Sequence, residues 1–380
     1  MEPLAAPGFL YTITVFAVVI AILVAIHEFG HYGMARLFGI KVEAFAVGFG
    51  KEVVGWTDRH GTRWKIGWLP LGGYAKFAGD MNAASQPDPA LNALPEAEKA
   101  ALFQFRPIWQ RALVVAAGPM INFAFALLIF TGFFLAFGQQ ITAPVVGAVV
   151  PDMPAATAGV QAGDRITAVD GRNVRRFEDV ARAIATNPGE PVTLTLDRDG
   201  QTLEKTTTPR MLRETDRFGN EYSRGALGIR SGSEIEIIRH NPLSALWAGI
   251  GETWATTRMM WDTLAQVVTG RRSVDELGGP IKIAQFSGQS AAMGAAALIS
   301  FMALISINLG FINLLPIPML DGGHLFLYAV EAVRRRPLHP RVQEWAFMSG
   351  FALIMSLMLF LTWNDIASLT LWDRLSGTSG

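Results

Sequence analysis

The residues able to do chemistry in this chain are few, and the sharpest set is His27-Glu28-Phe29-Gly30-His31. Residues four apart share one face of a helix, so both imidazoles can grip one ion. Glu28 sits one step round, close enough to reach a water on that ion. The set ends an apolar run, where such groups are costly in hydrocarbon unless paired or bound; incidental histidines on a wet helix end are the plainer alternative. A catalytic zinc takes three protein ligands and keeps one position open, so a third ligand must come from elsewhere. His60, His240, His324 and His339 remain, but Asp321 is the stronger candidate, in the stretch Asn313-Leu-Leu-Pro316-Ile-Pro318-Met-Leu-Asp321-Gly322-Gly323-His324. It ends a run free of charge from residue 283 onward. Two prolines break the helix before it and two glycines relax the backbone beside it. Such irregularity at membrane depth is tolerated where it lines a cavity or is buried in protein. Alone, Asp321 reads equally as a helix cap; beside the His27 set the ligand reading prevails, with His324 as the competing ligand. Asn313 either hydrogen-bonds a substrate carbonyl or oxyanion or joins helices. In the chemistry these groups permit, zinc polarises a scissile carbonyl and acidifies its water. Glu28 takes the water proton and passes it to the leaving amine.

The elements that must position these groups are membrane spans. The chain has 380 residues, 51% apolar and only 17% charged, well below the charged share of a soluble domain. Charge-free runs cover 3–26, 112–151, 283–320 and 345–364. With ~20 residues per crossing, spans are expected near 8–30, 112–137, 294–315 and 344–363. Net charge is zero and there is no cysteine. That removes the electrostatic case for nucleic acid and excludes disulfides and zinc–thiolate sites. Basic residues concentrate between the first two spans (Arg36 to Arg111) and between the last two (Arg334 to Arg341). Those loops are expected in the cytoplasm, with both ends and 138–293 outside it.

Between spans, Val53–Trp56, Trp64–Trp68 and Leu71–Phe77 alternate around glycines and read as strands and hairpins. Residues 80–100 look like an exposed linker. The second span contains Gly118-Pro119 and Asn122, and the Gly-Pro pair loosens the helix or admits a close neighbour. Strands are expected at Val145–Val150, Arg165–Val169, Pro191–Asp197 and Gln201–Thr208, a hairpin turn at Asp170-Gly171 and a helix at Phe177–Ala185, making a small α+β module. The run Ala158–Val174 looks like a bacterial, circularly permuted PDZ domain. It either binds a peptide C-terminus as an added strand or acts as a plug or size filter. Residues 241–272 repeat at helical spacing and read as an amphipathic helix, either along the outer membrane face or on the module's surface.

Taken together the chain resembles the site-2 protease family, specifically its RseP-type bacterial members. His27–His31 stands as the family's HExxH, Pro70–Phe77 looks like its membrane-associated β-hairpin, Trp109–Pro119 with Asn122 like its second-span entry, and Asn313–Gly323 like its NxxPxPxLDGG motif. The resemblance implies an intramembrane zinc metalloprotease binding one Zn2+ through His27, His31 and Asp321, with Glu28 as base. It implies an active site near the cytoplasmic side of a bacterial inner membrane. Its strand-forming hairpin, around Gly72, Gly73 and Tyr74, would pair with an unwound substrate. Typical substrates are pre-trimmed single-span anti-sigma factors or remnant signal peptides. One departure is that only one full PDZ signature is visible, and 211–240 is too short for a second; Arg224–Ile229 reads as a remaining strand of the first.

The fold class expected is a polytopic α-helical membrane protein of four spans, with a membrane-associated β-hairpin region and one inserted soluble α+β PDZ-like domain. The expected boundaries are 1–35 (first span), 36–105 (β region and linker), 106–140 (second span), 141–230 (outer PDZ-like domain), 231–292 (amphipathic connection), 293–341 (third span and ligand loop) and 342–380 (fourth span and tail). The rival classes are a metal or solute transporter, whose intramembrane acids and histidines line an ion path, and a catalytically inactive PDZ membrane scaffold. Four spans without inverted repeats weigh against the transporter.

Overall fold

The computed structural model describes residues 8–79, 91, 93–185, 187, 189–215, 221–232, 234–269 and 279–368. In chain order the elements begin with α1 (Phe9–Leu37), β1 (Val42–Thr57), β2 (Arg63–Phe77), α2 (Glu96–Lys99) and α3 (Ile108–Ala136). There follow β3 (Gln139–Thr142), β4 (Val146–Val149), α4 (Pro154–Thr157), β5 (Arg165–Val169), β6 (Arg172–Asn173), α5 (Phe177–Ala185), β7 (Val192–Arg198) and β8 (Gln201–Thr207). Last come β9 (Arg210–Thr215), β10 (Glu221–Ala226), β11 (Ile229–Ser231), β12 (Ile235–Ile238), α6 (Pro242–Val268), α7 (Pro280–Ala292), α8 (Ala295–Asn313), α9 (Asp321–Arg334) and α10 (Pro340–Ser368). Contacts divide the chain into two compact units. One comprises Met1–Phe130, Gly249–Asp262 and Val274–Gly380, the other Thr131–Ala248 and Thr263–Ser273.

In the first unit, α1, α3, α8 and Arg341–Ile366 within α10 are long and apolar enough to cross a bilayer. Each overlaps one of the spans expected from the charge-free runs. The long runs hold more than a span, as expected: 283–320 contains the end of α7, a break at Gly294 (φ 112°), α8, and a loop through Pro316 and Pro318. α1 stops because Gly39 adopts φ 69°, which lets the Gly39 N–H reach the Arg36 carbonyl and the Ile40 N–H the Ala35 carbonyl. Ile40 is fully buried and joins Ala35, Val42, Phe77, Phe103, Val114, Val115 and Tyr328 in a core at that end of the helices. Pro119 does not break α3, which runs continuously past it for 29 residues in all.

The sheet after α1 is a hairpin that folds back on itself. Val42 to Val47 pairs with Phe77 to Gly73 on one side and, through Ala44 to Val47, with Arg63 to Ile66 on the other. Arg63 to Ile66 pairs in turn with Thr57 to Val54. Two long strands thus make four paired segments and leave Gly73–Phe77 on one edge, beside α1. The expected linker lies outside the described residues over 80–90 and at 92; its end forms the single turn α2.

The second unit is the α+β module. Its sheet runs β6-β5-β7-β8, and its core gathers Val146, Ile166, Val169, Val180, Ile184, Val192, Leu194, Leu196 and Leu227. β5 and β6 are joined by Asp170 (φ 48°) and Gly171 (φ 72°), the two-residue turn with both central residues left-handed that suits a twisted hairpin. Of the strand expected over Arg224–Ile229, Arg224–Ala226 lies in β10, which pairs with β9, and Ile229 opens β11, which pairs with β4 in a separate two-stranded sheet. The segment 241–272 forms α6 up to Val268, and the rest of it is a turn at Thr269 and residues outside the described set.

Asp58 closes the tip of the first-unit hairpin. Its Oδ1 accepts from the N–H groups of His60 (2.8 Å) and Thr62 (3.0 Å), and its Oδ2 accepts from the Trp64 indole (3.0 Å) and the Tyr32 hydroxyl (3.3 Å). The Trp64 indole N–H, helped by those of Thr62 and His60, outweighs the opposing effect of burial and holds the carboxyl down at about 2. A depressed carboxyl stabilises the fold above its unfolded value, about 3.9, and ceases to do so as pH falls through its folded one. Amide-exchange protection of the turn should therefore be constant above about pH 4 and fall toward pH 2. Asp58→Ala should remove the excess protection at neutral pH.

Candidate active site

His27 and His31 project from the same face of α1 toward α3, and both are buried. Their Nε2 atoms are 3.2 Å apart. Asp321, the first residue of α9, brings its Oδ2 to 3.1 Å from His27 Nε2 and 3.5 Å from His31 Nε2. The ligand atoms of these three side chains lie within 4.8 Å of one another. Asp321 is thus at a helix start, but Leu320 is the N-cap and no side chain caps the helix.

The backbone that carries Asp321 is shaped by close approach. A Cβ on Gly322 would lie 2.3 Å from the Leu315 carbonyl oxygen, and one on Gly323 2.3 Å from that of Ile317. Both glycines are inside the helix, so they serve packing, where the sequence suggested backbone relaxation. Pro316 and Pro318 make the loop before them, Met319 takes φ 86°, and Gly350 of α10 backs it so tightly that a Cβ would meet the Pro318 oxygen at 2.0 Å.

The donor set fits a zinc-type ion. Two imidazole nitrogens and one carboxylate oxygen converge, the number a hydrolytic site uses. Asp321 Oδ2 is buried with no hydrogen-bond partner, an arrangement that costs free energy unless a cation or donor meets it. Gly118 of α3 makes the room: a Cβ there would sit 2.3 Å from His31 Nε2 and 3.0 Å from His27 Cε1.

Glu28 points to the sheet edge instead. Its Oε2 accepts the Ala75 backbone N–H at 2.9 Å. Gly73 lies against the same part of α1, with a virtual Cβ 3.1 Å from Val24 Cγ1 and 3.6 Å from Glu28 Cγ. Gly72 (φ 86°) turns the chain under the Phe49 ring, and Tyr74 stacks on Phe49 with the Lys65 ammonium 4.9 Å from its own ring centre. Asn313 ends α8 and is half-buried.

None of the other histidines is a member of the cluster. His60 sits in the hairpin turn, His240 belongs to the second unit beside Gln139 and Ser244, and His339 precedes α10. His324, one turn after Asp321, packs on Phe347 and Tyr328. Sequence reasoning passed over the groups that hold the imidazoles from behind. The Val114 carbonyl is 2.9 Å from His31 Nδ1, and Asn122 Nδ2 is 3.1 Å from His27 Nδ1. A backbone carbonyl leaves no signal in a sequence; a lone amide side chain in an apolar span does, and Asn122 was one. An apolar groove of about 650 Å³, lined by Ile22, Ile26, Phe29, Trp56, Phe125 and Leu128 among others, includes none of these chemical groups.

The profile of peptidase family M50 matches residues 15–357. A protein of Agrobacterium fabrum whose name describes a zinc metalloprotease is 44% identical over 371 residues, covering 96% of this chain and 98% of that one. One of Rhizobium meliloti, similarly named, is 43% identical over 360 residues, covering 94% and 96%. Metalloprotease MmpA of Caulobacter vibrioides is 38% identical over 382 residues, covering 94% and 96%. Among solved structures, the PDZ domain of the SdrC-like protein of Listeria innocua is 21% identical, with a TM-score of 0.20, covering 26% of this chain and 99% of that one.

The space at Gly118 yields a direct test. Gly118→Ala should push the imidazoles out of register and weaken zinc binding by roughly tenfold or more, measured by competition with a chelator on the purified chain.

Proposed function

The chain belongs to peptidase family M50, and on that premise we propose that it cleaves the membrane-spanning segments of other proteins, with His27, His31 and Asp321 holding one zinc ion and Glu28 as general base. It is a metalloendopeptidase whose cofactor is zinc. The observation that carries the residue assignment is the meeting of His27, His31 and Asp321 within 4.8 Å, from opposite ends of the chain. When bound, the ion supplies Lewis acidity at the scissile carbonyl and lowers the pKa of water. Glu28 then takes a proton from the attacking water as its oxygen bonds to the carbonyl carbon, and delivers it to the amine when the C–N bond breaks. The Ala75 N–H fixes where that carboxylate waits.

The edge segment Gly73–Phe77, with Gly72 and Tyr74 shaping its start, supports recognition of substrate as an added strand. A spanning helix must unwind to pair this way, which exposes its peptide bonds. Asn313 is assigned to the substrate carbonyl or oxyanion.

The finer assignments follow from charge distribution and resemblance. The chain lies in the bacterial inner membrane with both termini periplasmic and the site toward the cytoplasm. The PDZ-like domain at 141–230 faces the periplasm, where it binds a peptide C-terminus or excludes untrimmed substrates by size. The segments 36–105, 231–292, 293–341 and 342–380 serve as β region, amphipathic connection, ligand-bearing span and last span. Substrates are single-span proteins of the anti-sigma-factor kind, already trimmed, and remnant signal peptides.

Purified chain in detergent should cleave a single-span substrate, and a zinc chelator should stop it. Glu28→Gln should keep its zinc and lose cleavage by several orders of magnitude; Asp321→Asn should lose both. Ala75→Pro, which removes the N–H that holds Glu28, should cut activity while zinc content is kept. Full cleavage by Glu28→Gln, or stoichiometric tight zinc in Asp321→Asn, would sink the assignment.

A further inference from the structure

The two imidazoles differ in what grips the nitrogen that faces away from the cluster. His31 Nδ1 lies 2.9 Å from the Val114 backbone oxygen. A carbonyl only accepts, so His31 carries its hydrogen on Nδ1 and keeps a lone pair on Nε2, the atom that faces Asp321. His27 is held differently. Its Nδ1 lies 3.1 Å from Asn122 Nδ2, and an amide nitrogen only donates. In that pose His27 Nδ1 must accept, its hydrogen sits on Nε2, and Nε2 has no lone pair for a cation.

The same pose leaves Asn122 Oδ1 buried without a hydrogen-bond partner, in a residue that is 0% exposed. The two ends of an amide are interchangeable by a half-turn about the last side-chain bond. After that turn Oδ1 accepts from His27 Nδ1–H, and Nε2 is free to face the cluster with its lone pair. The amide therefore has one orientation for each tautomer of His27, and only one of them suits a metal ligand.

We propose that Asn122 is a positioning residue of the zinc site: with Oδ1 turned to His27 Nδ1–H, it selects the tautomer that presents His27 Nε2 to the ion. The proposal rests on the assignment of His27 as a ligand. Outer groups of this kind, which hold the far nitrogen of a ligating histidine, typically change metal affinity 10–100-fold when removed. The backbone at Asn122 is pinned separately, because Ser306 Oγ of α8 donates to the Asn122 carbonyl at 2.9 Å. Changing the side chain thus leaves the α3–α8 contact in place.

Two substitutions separate positioning from packing, since the two roles rank them oppositely. Asn122→Leu matches size and suits an apolar span, so a packing role tolerates it. Asn122→Asp buries a carboxylate, which packing alone disfavours, but a carboxylate only accepts and so enforces Nδ1–H on His27. The full-length chain, purified in detergent and stripped of metal, is titrated with Zn2+ against a competing chelator, and the Co2+-loaded form is followed by its visible absorption. Expected are a 10–100-fold weaker zinc affinity and an altered cobalt spectrum for Asn122→Leu, and affinity at or above wild type for Asn122→Asp. Wild-type affinity in Asn122→Leu, or a tenfold or greater loss in Asn122→Asp, overturns the proposal. If Asn122→Leu fails to fold, the Asn122→Asp titration decides by the same threshold. A His27→Ala chain that binds zinc like the wild type overturns the ligand assignment itself, whereas its loss of zinc beside a neutral Asn122→Leu overturns only the role of Asn122.

Discussion

Two apolar helices approach each other most closely at a glycine on each, and the site exists because of that contact. A Cβ on Gly30 of α1 would fall 2.3 Å from the Ala117 carbonyl oxygen, and one on Gly118 of α3 would fall 2.3 Å from His31 Nε2. Lipid tails give helices no hydrophobic reason to associate, so close packing of small residues and buried hydrogen bonds supply the adhesion. At this spacing the Val114 carbonyl and the Asn122 side chain come within hydrogen-bond reach of the imidazoles. α1 supplies the nitrogens and α3 sets how they point.

The same economy of side-chain volume brings in the carboxylate. Asp321 reaches the histidines because Gly322 and Gly323 let α9 begin directly against the loop that follows α8, and Gly350 lets α10 close behind it. Elsewhere in this unit buried acids are met by donors. Glu331 accepts from Arg111, the Leu338 N–H and Gln343, and Asp365 accepts from the N–H groups of Gly279, Ile281 and Lys282. These two acids join α9 to α3 and α10 to α7, which is the structural use of a buried acid. Asp321 Oδ2, by contrast, has imidazole nitrogens nearby but no hydrogen bond.

Local rules carried far in the second unit. The Asp170-Gly171 turn, the strand at Arg165–Val169 and the helix at Phe177–Ala185 are all present where alternation, turn chemistry and helical spacing put them. Period and turn type are properties of adjacent residues, so they are visible without the fold. The first-unit sheet was legible only as strands. Its double pairing of Val42–Val47 depends on β1 and β2 bending at Gly48, Gly50 and Gly72, and a bent strand has no sequence period of its own.

The sequence by itself determined the spans, because the cost of leaving charge in hydrocarbon is paid residue by residue and shows as charge-free runs. It also determined the helical pair His27 and His31, since four residues along one helix is a local distance, and it marked Asp321 as an acid out of place. Tertiary structure alone decided that Asp321 reaches the two imidazoles, that Glu28 rests on the Ala75 N–H, and that Val114 and Asn122 hold the rings from behind. Those contacts join residues from different helices and a sheet edge, so their distances are set by how closely backbones pack, and the packing belongs to no single stretch of the chain.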